Sequence, residues 1–195
     1  MGWVVGVVLT QPRLVDNLCR KMDVPSEICE RAKQILRMAD DAGITRFRSG
    51  SEASAAALLA AMREFCYPVS GYMVAWRAMI RSYSLFKMLR LFLSTLGIKI
   101  VVDPACYAKK LAEMLSLPSS VAEESVKICR TGLEGRDFIG VAAACIYLAC
   151  DRMGVGGVTQ ELLSKVTGVS QVTIRKRVKE LRKALKMGER HDNTC

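Results

Sequence analysis

The sequence predicts an all-α protein built as two similar bundles of about five helices each. Three observations carry that prediction. Apolar residues recur at helical spacing along almost the whole chain, and β-branched runs are confined to residues 4–8 and 98–102. The chain also matches itself. Leu18-Cys-Arg-Lys-Met-Asp-Val-Pro25, followed by Ser26, Ile28, Ala32 and Ile35, returns as Leu111-Ala-Glu-Met-Leu-Ser-Leu-Pro118, followed by Ser119, Val121, Ser125 and Ile128. Finally, residues 159–185 combine the turn chemistry and periodicity of two tightly joined helices.

These signals divide the chain into an apolar leader (1–10), a divergent first copy (11–97), a linker (98–106), a second copy (107–186) and a polar tail (187–195). Pro25 and Pro118 each stand just ahead of a helix, where a fixed φ and a missing N–H are tolerated. A charged loop with Gly43 and Gly50 follows at residues 40–52, and its counterpart at 132–137 is shorter. Each copy then reaches a small-residue helix, ASAAALLAAMR at 53–63 and AAACIYLACDR at 142–152, which suits the central position of a bundle. Tyr72, Trp76 and Tyr83 read either as core aromatics or as interface anchors. The next helix, LFKMLRLFLSTL at 85–96, is apolar around its circumference and reads as a central core helix or as an exposed patch for a partner. Gly97 closes the first copy.

At the end of the second copy, the Thr159 hydroxyl is placed to cap a helix, with Glu161 near the positive end of its dipole and Leu162, Leu163 and Val166 along one side. Gly168 suits the left-handed residue that ends this helix, and Ser170 suits the cap of the next. At about 100° per residue, Ile174, Val178, Leu181 and Leu185 form one buried stripe. Opposite it stand Arg175, Lys176, Lys179, Lys183 and Lys186, joined by the apolar Val172 near the helix start. Such a helix fits the major groove, where Arg pairs with guanine and an apolar side chain touches a thymine methyl. A plain solvated basic face is the alternative.

Composition agrees. The 195 residues are 51% hydrophobic, enough for a real core, and the net charge of +10 favours a polyanionic partner. The leader lacks the length and basic start of a signal peptide, and no apolar run is long enough to span a bilayer, so the expectation is an intracellular protein, cytoplasmic and nucleoid-associated, without a membrane partner. Gly6 stands where a myristoylation motif wants Ser or Thr. The 8 cysteines include no Cys-x-x-Cys pair, and the sole histidine is His191, so most of them read as small buried core residues rather than metal ligands or disulfides. No Ser/His/Asp or Cys/His set and no phosphate-binding glycine loop is present. Adjacent carboxylates such as Asp40 and Asp41, or Glu123 and Glu124, diverge on a helix and read as surface charge. The expectation is therefore not an enzyme, with no catalytic residue, cofactor, metal or small-molecule substrate.

The Leu-Pro-x-x-Val start, the Ala-rich helix and VTGVSQVTIRKRVKEL at 166–181 resemble the second cyclin-like repeat of the transcription factor IIB family, and more closely its archaeal transcription factor B branch. Asp103-Pro104-Ala105 is similar to the family's inter-repeat linker. The resemblance covers residues 103–185 well. It is weaker over 11–97, where the Pro25 segment and Leu96-Gly97-Ile98-Lys99-Ile100 are similar but the helix-turn-helix is degenerate. It implies tandem cyclin-like five-helix repeats that grip the complex of TATA-binding protein with promoter DNA and read the element upstream of the TATA box. Val172 and Arg175 take the family's base-reading positions. Gln171, Thr173, Lys176, Arg177 and Lys179 become backbone or flanking contacts, and Lys87 and Arg90 contacts to DNA downstream.

The metal-ligand cysteines of the family's polymerase-docking zinc ribbon, and its segment for the polymerase cleft, are not found in this sequence. The expectation is either an isolated core of a longer factor or a natural short regulatory paralogue, the start at Met1 and the divergent first copy favouring the latter; contact with RNA polymerase stays open. A separate reading is a cyclin-like protein-interaction module whose apolar groove binds a protein partner, with no sequence-specific DNA role.

Overall fold

A computed structural model of the chain describes residues 11–46, 48–131 and 137–192, with side chains described for 12–186 among them. The apolar leader, most of the loop expected at 132–137 and the side chains of the polar tail lie outside the described residues. Ten helices and no strand occur among the described residues: α1 (Gln11–Met22), α2 (Ser26–Asp41), α3 (Gly50–Glu64), α4 (Gly71–Arg77), α5 (Ser82–Leu96), α6 (Pro104–Met114), α7 (Ser119–Cys129), α8 (Phe138–Met153), α9 (Gln160–Thr167) and α10 (Gln171–Asp192). The chain folds as two compact units, Met1–Phe65 with Gly71–Val101, and Cys66–Ser70 with Val102–Cys195.

Each unit is organised around its small-residue helix. In unit 1, α3 is buried from Ala53 to Arg63 and packs against α1, α2 and α5. In unit 2, α8 is buried from Ile139 to Ile146 and packs against α6, α7, α9 and α10. Alanine permits this arrangement, because a helix lined by methyl groups lets neighbours approach on every side without leaving voids. Local chemistry sets the helix starts. α2 and α7 begin immediately after Pro25 and Pro118. Asp103 caps α6 by accepting a hydrogen bond from the Ala105 N–H (3.0 Å), with Pro104 as the first helical residue. In unit 1, Arg31 grips Glu64 through both carboxylate oxygens (2.7 and 2.9 Å), fastening α2 to α3.

Two expectations are decided here. Helix α5 is a core helix. Leu85, Met88, Leu89 and Phe92 are buried, with Phe86, Leu91, Leu93 and Leu96 half-buried at the edges. The cysteine reading needs correction, because Cys19 pairs with Cys29 and Cys66 with Cys106, at Cα separations of 6.2 and 5.9 Å. The first bridge closes the α1–α2 hairpin across Pro25. The second joins residues far apart in sequence, which no local motif announces. Cys129, Cys145 and Cys150 do remain free core residues. The Cys145 thiol is pushed well above its ordinary range by its hydrogen bond with Cys129 and by burial, and burial raises Cys150, so neither is a ready thiolate nucleophile.

Candidate nucleic-acid interface

The α9–α10 pair forms a helix-turn-helix whose turn is fixed residue by residue. The Leu162 N–H donates to the Thr159 hydroxyl oxygen (3.1 Å), capping α9. Gly168 ends α9 at φ +68°, a left-handed conformation in which glycine has no Cβ to clash. The Thr173 N–H donates to the Ser170 hydroxyl oxygen (3.1 Å), capping α10. Buried between these caps, the Thr167 hydroxyl donates to the Leu163 carbonyl (2.7 Å) and accepts from the Val169 N–H (3.2 Å). These capping bonds are local, which is why the residues that make them are readable in sequence order.

One contact is not local. The Ser70 N–H donates to the Thr167 carbonyl (2.7 Å) and the Ser70 hydroxyl donates to the Gly168 carbonyl (2.9 Å). These carbonyls close α9 and have no partner inside it, so Ser70 serves as a cap supplied from a distant segment. That segment, Cys66–Ser70, is held in unit 2 by the Cys66–Cys106 bridge to α6. Nothing in the spacing of Ser70 marks it for this role.

Helix α10 buries Ile174, Val178 and Leu181 and packs them on α8 and α9. Gln171, Val172, Arg175, Lys176 and Lys179 stand exposed on the other side, and Thr173 is half-buried with its hydroxyl beside that of Ser170 (2.8 Å). Val172 is the telling residue, being 73% exposed in a helix whose other apolar side chains near it are buried. Arg175, Lys176 and Lys179 form no ion pair with any described residue, so their charge is available to a ligand. Arg177 is set apart from them. Its side chain is only 11% exposed and its guanidinium pairs with Glu180 (2.6 Å), so the structure does not bring it to the cationic face. Arg182 is likewise engaged, with Asp151 (2.9 Å).

In unit 1, Lys87 and Arg90 are exposed on α5 and line an open cleft with Arg48, Leu91, Leu93 and Ser94. Arg48 comes from the loop after α2 and was not singled out by its sequence context. The three cations make the cleft a suitable seat for a phosphate.

The pattern of the family described as transcription factor TFIIB repeat matches the chain twice, at residues 8–95 and 99–184. Among curated relatives, a transcription initiation factor IIB of Aeropyrum pernix is 36% identical over 193 residues, covering 90% of this chain and 58% of the relative. Proteins of the same name from Methanocaldococcus jannaschii and Pyrobaculum arsenaticum are each 33% identical, covering 86% and 88% of this chain and 26% and 53% of their own lengths. The chain thus spans about half or less of the length of these two relatives. With the repeat matched once over each set of five helices, the chain belongs to the transcription factor TFIIB family.

Proposed function

We propose that this protein holds promoter DNA in complex with TATA-binding protein and reads the sequence upstream of the TATA box through α10. The observation that carries this reading is the exposed Val172–Arg175 pair at the start of a capped helix, flanked by the uncommitted cations Lys176 and Lys179. An arginine and an apolar side chain three residues apart supply a guanine contact and a thymine-methyl contact on one turn. Gln171, Thr173, Lys176 and Lys179 fix the register on the backbone, and the N-terminal end of α10 adds its favourable dipole toward phosphate. Arg177, occupied by Glu180, supports α10 rather than touching DNA. Lys87, Arg90 and Arg48 hold phosphates downstream without reading bases. Transcription initiation, the process for which the relatives are named, is the one this activity serves.

A gel shift tests the reading. The protein with TATA-binding protein is expected to retard a TATA duplex further than TATA-binding protein does, and to prefer its own upstream sequence over a scrambled one. Arg175→Ala should cost about 1–3 kcal/mol of that preference while leaving binding to the scrambled duplex nearly unchanged. An equal loss on both duplexes would remove the base-reading role, and no supershift at all would remove the promoter reading.

A further inference from the structure

The surface of α4 in unit 1 carries an apolar stripe that neither the fold nor the DNA reading uses. Tyr72, Trp76 and Met79, at helical i, i+4 and i+7 spacing, are 67%, 69% and 88% exposed. Aromatic residues of this size left in water next to one another mark a contact surface more than isolated exposed side chains do. Met79 adds an independent sign. It holds a left-handed backbone (φ +57°) just past the end of α4, a place where glycine is the unstrained residue. A large apolar side chain there is out of the core and strained in the backbone, so folding does not account for it.

The electrostatics define the partner. Between Glu64 and Asp103 the sequence contains no carboxylate side chain, while Arg77 and Arg81 flank the stripe, both exposed. We infer that the α4 stripe docks an acidic amphipathic helix of a protein partner, its apolar side chains meeting Tyr72, Trp76 and Met79 and its carboxylates meeting Arg77 and Arg81. A second copy of this surface would set cation against cation. Single-stranded nucleic acid needs open ring faces for stacking, but the Arg77 guanidinium lies over the Trp76 ring, 4.8 Å from its centre. Tyr72 meets Phe86 in an edge contact, with ring centres 5.5 Å apart. Phe86 in turn fills the space beside Gly71, where an added Cβ would come within 2.7 Å of the ring, so this edge contact is built into the α4–α5 crossing. The inference is independent of base reading by α10.

The test uses the full chain carrying Trp3→Phe, which leaves Trp76 as its single tryptophan. Three probes are titrated while Trp76 fluorescence is followed: a helical peptide with leucines at i, i+3, i+4 and i+7 flanked by glutamates, the same peptide with lysines for the glutamates, and a thymidine oligonucleotide. The acidic peptide is expected to move the emission to shorter wavelength and to bind at least about tenfold more tightly than the lysine peptide. Arg77→Glu with Arg81→Glu should abolish that preference. Met79→Gly should weaken the acidic peptide by about tenfold without lowering the melting temperature, separating loss of contact from loss of fold. The inference is overturned if the two peptides bind alike, if neither moves the emission, if the oligonucleotide alone does so, or if Trp76 is instead buried by self-association as concentration rises.

Discussion

Leu85, Leu89 and Phe92 are buried along α5 as Ile174, Val178 and Leu181 are buried along α10, in the same register. Ahead of each helix the turn follows one plan. A left-handed residue, Met79 or Gly168, ends the first helix, and a single residue two positions on, Arg81 in extended conformation or the capping Ser170, precedes the second. Lys87 and Arg90 then occupy the positions of Lys176 and Lys179, all exposed. The two pairs part company where bases would be read: Val172 and Arg175 correspond to Tyr83 and Phe86, and Phe86 is folded against Tyr72. The buried stripe and the turn are what the repeat must keep to fold. Its exposed positions differ, so unit 1 keeps exposed cations at Lys87 and Arg90 but carries aromatics where unit 2 has the proposed base-reading pair.

If the stripe sets the fold, truncating it should damage each unit to a similar degree. Phe92→Ala is expected to destabilise unit 1 by about 3–5 kcal/mol and Leu181→Ala to destabilise unit 2 by about 2–5 kcal/mol, through lost burial and the cavity left behind. Amide hydrogen exchange is the suitable measurement, because two units need not unfold together. Protection should fall in α3 and α5 for the first variant and in α8 and α10 for the second. A loss confined to one variant would break the shared-scaffold comparison.

The next effect concerns a device of α9 alone. Ser70→Ala removes the hydroxyl hydrogen bond to the Gly168 carbonyl while keeping the backbone N–H bond to the Thr167 carbonyl, and should cost about 1–2 kcal/mol of unit 2 stability, since α9 cannot replace the lost partner. Hydrogen exchange at Leu163 and Val169 would register the change. If Ser70 also steadies the turn that aims α10, Ser70→Ala should lower discrimination between upstream sequences more than affinity for a scrambled duplex.

The retained cations offer a smaller but sharper test. Lys176→Ala and Lys179→Ala should each weaken DNA binding evenly across sequences and reduce the slope of log affinity against log salt by about 1. Lys87→Ala should do the same if the cleft it shares with Arg48 and Arg90 seats a phosphate. An unchanged slope for Lys87→Ala, beside a reduced one for Lys176→Ala, would confine DNA contact to the second repeat.

How legible these features were depended on their range. Thr159, Gly168 and Ser170 act on neighbours within a few residues, so sequence order alone exposed the second turn and the buried stripe. The first turn reads as degenerate because Met79 and Arg81 stand where glycine and serine serve as signals, although Met79 takes the same left-handed backbone and Leu85, Leu89 and Phe92 the same buried stripe. The Cys66–Cys106 bridge, the Ser70 cap and the contribution of Arg48 to the cleft escaped for another reason, since each joins segments distant in sequence. Arg177 shows the limit of a resemblance: the family pattern implied a flanking DNA contact, but its half-buried side chain pairs with Glu180, a neighbour whose effect a motif does not reveal.

The smallest predicted effect is also the one that separates the two turns by sign. Gly168→Ala places a Cβ in a left-handed backbone at φ +68° and should cost about 1 kcal/mol. Met79→Gly relieves the same kind of strain at φ +57°, and because the side chain is exposed there is little burial to lose. Part of the relief is offset by the greater backbone entropy of glycine in the unfolded chain, leaving an expected gain of about 0.5 kcal/mol. Thermal or chemical denaturation monitored separately in each unit would resolve the two signs. A loss of stability in Met79→Gly would mean that its side chain does structural work within unit 1, and the difference between the repeats would then lie in folding. A gain would mean that the first repeat carries a destabilising methionine for the sake of its surface.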